Sequence, residues 1–248
     1  VLNGKIYDFG DDGIMKNVTF PEGFIDVRGE RYYVEADNAV AVGDRLVGDT
    51  VYRFDTNGVL GTDVIDHEFV NIGGNVYYAI NNIIVKNYFI VDGKVIDFGD
   101  DGVKRDTVLD KIIVTVDGNE YYVINNIVQV GNQLVDNEVL DFGTDGIKRD
   151  TVYDKVIVSV GEDKYYVINN VIQLGFQLVG DSIYDFGDDG KQKSEPLDKQ
   201  YVVVGGNTYY VVNNIIVKNY FIINGEVIDF GDDGVKLDTV LDKVIVTI

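Results

Sequence analysis

The chain has 248 residues, with 21 basic and 42 acidic side chains, so its formal charge is 21 − 42 = −21. That surplus of carboxylates excludes a nucleic-acid grip, which needs a Lys/Arg face against the phosphate backbone. There is no Cys, no Trp and a single His, which excludes disulfide frameworks, zinc–thiolate sites, Cys nucleophiles and any repeated Ser/His/Asp arrangement. Hydrophobic residues at 46% and aromatics at 12% suffice to fill a core despite the charge, so the chain reads as folded and not as an acidic tail.

The first stretch, Val1 to about Val27, reads as half a repeat with Tyr7-Asp8-Phe9-Gly10-Asp11-Asp12-Gly13 as its turn and Pro21 in the connection. It carries neither the basic nor the apolar segment of a signal peptide. Paired tyrosines follow at Tyr32-Tyr33, Tyr77-Tyr78, Tyr121-Tyr122, Tyr165-Tyr166 and Tyr209-Tyr210, spaced by 45 and then three times by 44. A second marker, Phe followed four positions on by Gly, stands at Phe9, Phe54, Phe98, Phe142, Phe186 and Phe230. The markers interleave at about half the period, so each 44-residue repeat contains two related units of about 22 residues. Val85 to Val116 differs from Val217 to Ile248 at only six of 32 positions, a mark of recent duplication.

Each unit reads as strand, turn, strand. Tyr121-Tyr122-Val123-Ile124 is aromatic and β-branched and runs into Asn125-Asn126, a pair that tolerates the left-handed backbone of a tight hairpin. Glu138-Val139-Leu140-Asp141-Phe142 runs into the turn Gly143-Thr144-Asp145-Gly146. The stretches between them, Ile127 to Leu134 and Ile147 to Val160, have strand-like β-branched density and no helical period. The predicted class is therefore all-β. A 22-residue hairpin cannot bury its apolar face alone, so the copies are expected to stack into a β-solenoid. The pattern weakens at Lys191 to Pro196, but no segment has the length of a linker, and residues 1–248 read as one repeat domain. Because the last strand pattern, Val244 to Ile248, stops inside the periodicity, the chain reads as a fragment of a longer protein. No apolar run reaches the roughly 18 residues of a membrane span.

Gly29-Glu30-Arg31-Tyr32-Tyr33-Val34, followed by Tyr52-Arg53-Phe54-Asp55-Thr56-Asn57-Gly58-Val59-Leu60, resembles the paired segments of cell-wall-binding repeats. That superfamily includes choline-binding, glucan-binding and clostridial-toxin receptor-binding repeats. The resemblance spans nearly the whole chain as a period and is specific from Ile25 to Leu60. It implies stacked hairpins and a non-catalytic binding module of a secreted or cell-surface bacterial protein, with a polysaccharide or cell-wall polymer as partner. Two departures stand out. The turn after each Tyr-Tyr strand lacks its closing Gly, and the Trp of the family's ligand box is missing. Its position holds Tyr88, Asn132, Phe176 and Tyr220 in one type of unit, and Ile113 and Ile157 in the other. A cation–π cage needs two or three aromatic faces, which weighs against choline. Sugar platforms are expected at Tyr88 with Phe89, Phe176 with Gln177, and Tyr220 with Phe221; the alternative reading makes these rings packing between hairpins.

Three further patterns carry chemistry. Asp-Phe-Gly occurs at Asp8, Asp97, Asp141, Asp185 and Asp229, but without the phosphate loop or catalytic loop of a kinase, so it is turn chemistry. Asp97, Asp100 and Asp101, and likewise Asp229, Asp232 and Asp233, bring three carboxylates into one turn that ends in Gly, which admits a Ca²⁺ reading beside a plain turn reading. The doubled asparagines, such as Asn81-Asn82 and Asn213-Asn214, offer amides either to sugar hydroxyls or to hairpin geometry. His67 is expected to be an exposed singleton. Catalysis is not expected, because near-identical units give near-identical environments and not the unlike carboxylate pair that an active site needs. The alternative to a carbohydrate module is an adhesin stalk or protein-interaction solenoid.

Overall fold

The computed structural model describes residues 1–239 and is all-β, as the turn-and-strand pattern predicts. Among the described residues twenty-four short strands pair into antiparallel hairpins and small sheets and there is no α-helix, hence no helix long and apolar enough to cross a membrane. The chain divides into two compact units. The first takes residues 1–110, 115–118 and 125–127, and the second takes 111–114, 119–124 and the described residues from 128 on.

In the first unit the hairpin Gly23–Val27/Glu30–Val34 is followed by a five-stranded sheet. Its order is Gly43–Val47, Thr50–Phe54, Ile83–Ile84, Asn75–Ile80, Glu68–Ile72. A further hairpin, Tyr88–Val91/Lys94–Asp97, belongs to another five-stranded sheet, in which Ile127 pairs antiparallel with Lys94. The second unit repeats the same five-stranded plan twice, over Asn132–Val135 to Val171–Ile172 and over Phe176–Val179 to Ile215–Ile216, and adds the hairpin Tyr220–Ile223/Glu226–Asp229.

The tyrosine pair explains the architecture of each sheet. Successive strand residues face opposite sides, so Tyr77 and Tyr78 leave Asn75–Ile80 on opposite faces, yet both are buried. Tyr77 joins an aliphatic core with Val51, Ile65, Val70, Ala79 and Ile84. Tyr78 turns to the other face, onto Phe98, which is wholly buried. In the second unit Tyr165 sits with Val139, Val158, Val167 and Ile172, while Tyr166 stacks on Phe186 at 5.9 Å. The two sequence markers are thus the two sides of one contact.

The doubled asparagine is a turn with a built-in strut. Asn81 and Asn82 both have positive φ, at 49° and 68°, as a two-residue hairpin of the type favoured by strand twist requires. A Gly at the second position would serve that backbone as well. However, the second amide reaches back to the segment that enters the sheet. Asn82 Oδ1 accepts from Ile65 N at 2.7 Å, Asn126 Oδ1 from Leu109 N at 2.6 Å, Asn170 Oδ1 from Tyr153 N at 2.6 Å and Asn214 Oδ1 from Leu197 N at 2.6 Å. Asn126 and Asn170 also donate through Nδ2 to Thr107 O and Thr151 O. The missing closing Gly is therefore a gained strut, and these amides are committed to the fold and not offered to a ligand. A constrained Gly of the repeat is typified by Gly102: its φ is +78°, and a Cβ there would lie 2.5 Å from Ile84 Cδ1 and 3.1 Å from the Val85 carbonyl oxygen.

Replacing Asn170 by Gly keeps the turn and removes the strut, leaving Tyr153 N–H and Thr151 C=O without that partner. We expect a loss of about 1–3 kcal/mol, confined to its own sheet. Amide exchange that quickens at residues 151–172 and leaves 200–216 unchanged is the expected result; unchanged protection at Tyr153 would contradict the strut.

Candidate functional site

Aromatic side chains gather on the Tyr78 face of the repeats, and the copies differ there. In the first unit Tyr78 is the hub. Phe69 lies 4.8 Å from it, Phe89 6.0 Å and Phe98 6.2 Å, centroid to centroid, and Phe69 stacks on Phe98 at 29°. The second unit contains the same arrangement around Tyr210, with Tyr201 at 5.1 Å, Phe221 at 6.0 Å and Phe230 at 6.3 Å. Strand pairing sets these contacts. Phe69 lies directly opposite Tyr78 across its hairpin, and Tyr201 lies opposite Tyr210, a cross-strand arrangement that suits ring pairs.

Burial is graded within each cluster. Phe98 and Phe230 are fully buried and Tyr78 and Tyr210 nearly so, whereas Phe69 and Tyr201 are each 44% exposed, and Phe89 and Phe221 are half-buried. The result is a rigid stack with one open ring, the form of an apolar platform on the surface. Carboxylates lie around it. Burial first, and then Asp92 and Asp66, push the Tyr78 hydroxyl above its ordinary pKa; burial, Tyr210 and Glu226 do the same for Tyr201. His67 stands beside the first platform, exposed as expected, with Nδ1 2.9 Å from Asp66 Oδ1 and its ring edge-on to Tyr78 at 6.4 Å.

The expected ligand pairs fall differently. Tyr88 and Phe89 are adjacent in one strand and so point to opposite faces. Phe89 joins the Tyr78 cluster, whereas half-buried Tyr88 lies across from Asp97 on the other side. Tyr220 and Phe221 divide in the same way, with Tyr220 opposite Asp229. Phe176 is 41% exposed and lies opposite Asp185, and Gln177 Nε2 donates to Leu174 O at 2.7 Å. Asn132, at the same position, is used in packing: its Oδ1 accepts from the Tyr153 hydroxyl at 2.6 Å. The sequence reading missed Phe69 and Tyr201. The available signal was that they occupy the positions of Ile113 and Ile157, the second type of ligand-box site.

The acidic turns spend their carboxylates locally. Asp97 Oδ1 accepts from Gly99 N at 2.9 Å and its Oδ2 from the Thr107 hydroxyl at 2.8 Å. Asp229 does likewise with Gly231 N and Thr239 Oγ1. Asp101 Oδ1 accepts from Val103 N, and both its oxygens pair with Arg105; Asp233 accepts from Val235 N, with Leu237 where Arg105 would stand. Asp100 and Asp232 point to solvent. Among the described residues no group of three or more carboxylates is arranged to hold a metal ion.

No protein-family model matches the chain, and no curated protein matches it. Among solved structures it is similar to CbpJ from Streptococcus pneumoniae TIGR4, at 19% identity and a TM-score of 0.38, over 97% of this chain and 94% of that one. It is also similar to choline binding protein F from Streptococcus pneumoniae in the presence of a peptidoglycan analogue, at 17% identity and a TM-score of 0.35, over 96% and 95% of the two chains. A third is the modular autolysin LytC from Streptococcus pneumoniae in complex with a synthetic peptidoglycan ligand, at 13% identity and a TM-score of 0.42, where 94% of this chain covers 51% of that one. Choline-binding proteins are thus among its structural neighbours, in keeping with the repeat resemblance; likeness this distant carries no argument about the ligand.

The turn chemistry sets a pH dependence. The Val103 N–H, with Arg105 beside it, holds the Asp101 carboxyl below its ordinary pKa, and Asp145 and Asp189 are lowered in the same way by Ile147 N–H and Lys191 N–H. A carboxyl lowered on folding contributes stability above its unfolded pKa, and that contribution is lost as the pH falls through the lower, folded value. In a side-chain carboxyl NMR titration, Asp101, Asp145 and Asp189 should titrate below the ordinary carboxylate range of about 3.9. Arg105→Leu should raise the Asp101 midpoint only part of the way, because the backbone bond is the larger cause; a full return would assign the effect to the guanidinium.

Proposed function

We propose that this chain is a non-catalytic binding module of a secreted or cell-surface bacterial protein, a β-solenoid of about 22-residue hairpins in 44-residue double repeats that attaches to a carbohydrate polymer of a cell wall or glucan. The observation that carries the reading is the open ring on a buried stack, Phe69 in the first unit and Tyr201 in the second, each 44% exposed. Leaving a large aromatic half in water forgoes burial free energy of order 1 kcal/mol, and the apolar face of a pyranose is what such a ring covers well. Each platform is shallow, so a single contact is weak, and two on one chain gain by effective concentration when the ligand is a polymer. The repetition of near-identical environments argues for binding and against an acid/base pair.

A stalk or protein-interaction scaffold is the reading favoured by the copies that carry Ile113 and Ile157 in place of the open ring. Retention on insoluble polymers separates the two. Peptidoglycan, named for the choline binding protein F and LytC structures, is the first polymer to test, beside insoluble glucan, each with and without EDTA. The chain should be retained. Phe69→Ala/Tyr201→Ala should lose at least tenfold in retention, while Tyr88→Ala/Tyr220→Ala changes it less than twofold. The reverse ranking would place the ligand on the opposite face, and EDTA sensitivity would support Ca²⁺ at the acidic turns. No retention on any polymer would leave the scaffold reading.

A further inference from the structure

Five copies of the platform position can be compared among the described residues, and two of those five are open. The earliest copy is built on Phe24, Tyr33 and Phe54, and where Phe89 would come next it has Arg45. That guanidinium lies 5.4 Å over the Tyr33 ring and pairs with Glu35, while Phe24, at the position of Phe69, packs edge-on against Tyr33 and Tyr52 and lies under the Arg31 guanidinium at 4.7 Å, so both rings are covered. The two copies built on Tyr122–Phe142 and Tyr166–Phe186 keep the buried stack, at 5.8 and 5.9 Å. However, they carry Ile113 with Gln133 and Ile157 with Gln177 in place of the open ring and its flanking Phe. Each Gln folds back, Nε2 donating at 2.7 Å to Val130 O and Leu174 O respectively.

The difference extends beyond the rings. Copies with open platforms also carry a lysine that pairs with an aspartate 37 positions earlier, Lys86 with Asp49 at 2.7 Å and Lys218 with Asp181 at 2.8 Å. In the Gln copies the lysine positions hold Val130 and Leu174, both more than half exposed, and the aspartate positions hold Gly93 and Asn137. Four positions change together, and two of them, Asp49/Asp181 and Phe69/Tyr201, lie outside the duplicated stretch of residues 85–116 and 217–248, so the two kinds of copy differ on one backbone beyond what that duplication carries. The platforms also share a charge. Asp66, whose Oδ1 lies 2.9 Å from the His67 ring that stands edge-on to Tyr78 at 6.4 Å, flanks the first platform, and Asp92 and Glu226 bear on Tyr78 and Tyr201, in a chain of net charge −21. An anionic sugar laid on either ring would meet like charge.

We infer that the chain holds two ligand sites, Phe69/Phe89 and Tyr201/Phe221, that these take uncharged pyranoses and reject acidic ones, and that residues 113/133 and 157/177 decide which copies bind. The inference rests on the carbohydrate reading above and adds its count, its ligand class and its determinants. The two open copies supply an apolar face for the sugar ring; the Ile/Gln copies keep the stack for stability alone.

The test is an NMR titration of the 248-residue chain, isotope-labelled in Phe and Tyr, with three probes: an N-acetylglucosamine tetramer, isomaltotetraose and tetragalacturonate. The first two distinguish peptidoglycan-like from glucan-like sources of a neutral sugar. At least one neutral probe should shift the rings of Phe69, Phe89, Tyr201 and Phe221, leave Tyr122, Phe142, Tyr166 and Phe186 unchanged, and exceed tetragalacturonate at least tenfold in affinity. In Ile113→Phe/Gln133→Phe, whose new Phe faces Leu140 much as Phe89 faces Ile96 and Phe221 faces Ile228, the Tyr122 and Phe142 rings should also begin to respond. Equal response in all copies, response on the Tyr88 face, or tetragalacturonate as good as the neutral probes would each overturn the inference. If the chain is retained on polymer yet none of the four rings responds, the inference fails and the carbohydrate reading stands; if it is neither retained nor shifted, both fail. The wild-type titration decides the count even if the double variant does not fold.

Discussion

A strand that is buried on both faces has to be covered twice, and that requirement organises each repeat. The Tyr-Tyr strand places one ring in an aliphatic core and the next on a phenylalanine that arrives from a turn some twenty residues later. Neither cover is optional, because an aromatic side chain of this size contributes roughly 2–3 kcal/mol when fully buried, and a five-stranded sheet of such short strands has few other large groups. The phenylalanine can reach its tyrosine only if the turn that carries it is tight and fixed. Hence the Asp of Asp-Phe-Gly caps the following backbone, as Asp97 does Gly99 N, and the last Asp of the same turn, Asp101, caps Val103 N two residues further on. The acidic turn, the strangest feature of the composition, thus follows from the burial of one ring.

This accounts for how much of the protein could be read from its residues. The period, the all-β class and the hairpin turns were legible because they depend on local chemistry, such as the left-handed backbone of Asn-Asn and the density of β-branched residues. The platforms were not, because they depend on which face a residue takes. Tyr88 and Phe89 are neighbours in sequence and strangers in space, whereas Phe69, Phe89 and Phe98 converge on Tyr78 from three separate segments. Counting back from a Gly-Lys position names a strand and with it both sides of the pleat, Tyr88 on one and Phe89 on the other. Likewise, three carboxylates in six residues look alike in sequence, yet Asp97 and Asp101 accept from backbone N–H groups, Asp101 also from Arg105, and Asp100 is exposed.

The asparagine strut shows the same limit from the other direction. Its first residue satisfies a rule of hairpin turns, and that much is sequence-readable. Its second residue departs from the Gly that the turn would accept, and the reason is a bond to a segment seventeen residues earlier. Departures from a local optimum are therefore informative: each marks a place where a distant partner outweighs local preference. The absent ligand-box tryptophan belongs with them. The structure still builds a ring stack at that face, but with Phe and Tyr, and in a form that two copies leave open and three close or convert.

A repeat protein whose copies were all alike would bind everywhere or nowhere. The buried half of the cluster, Tyr on Phe, is kept at essentially the same spacing, near 6 Å, in all four copies from Tyr78 to Tyr210. Only the outer half varies. On the proposed reading, stability and recognition reside on different atoms of one cluster, with the buried stack constant and the outer residues variable. Separating the two in this way lets near-duplicate sequences diverge in function at a handful of surface positions. It also explains why the pattern of differences, Phe or Ile, Phe or Gln, Lys or Val, is confined to the rim of a core that does not change.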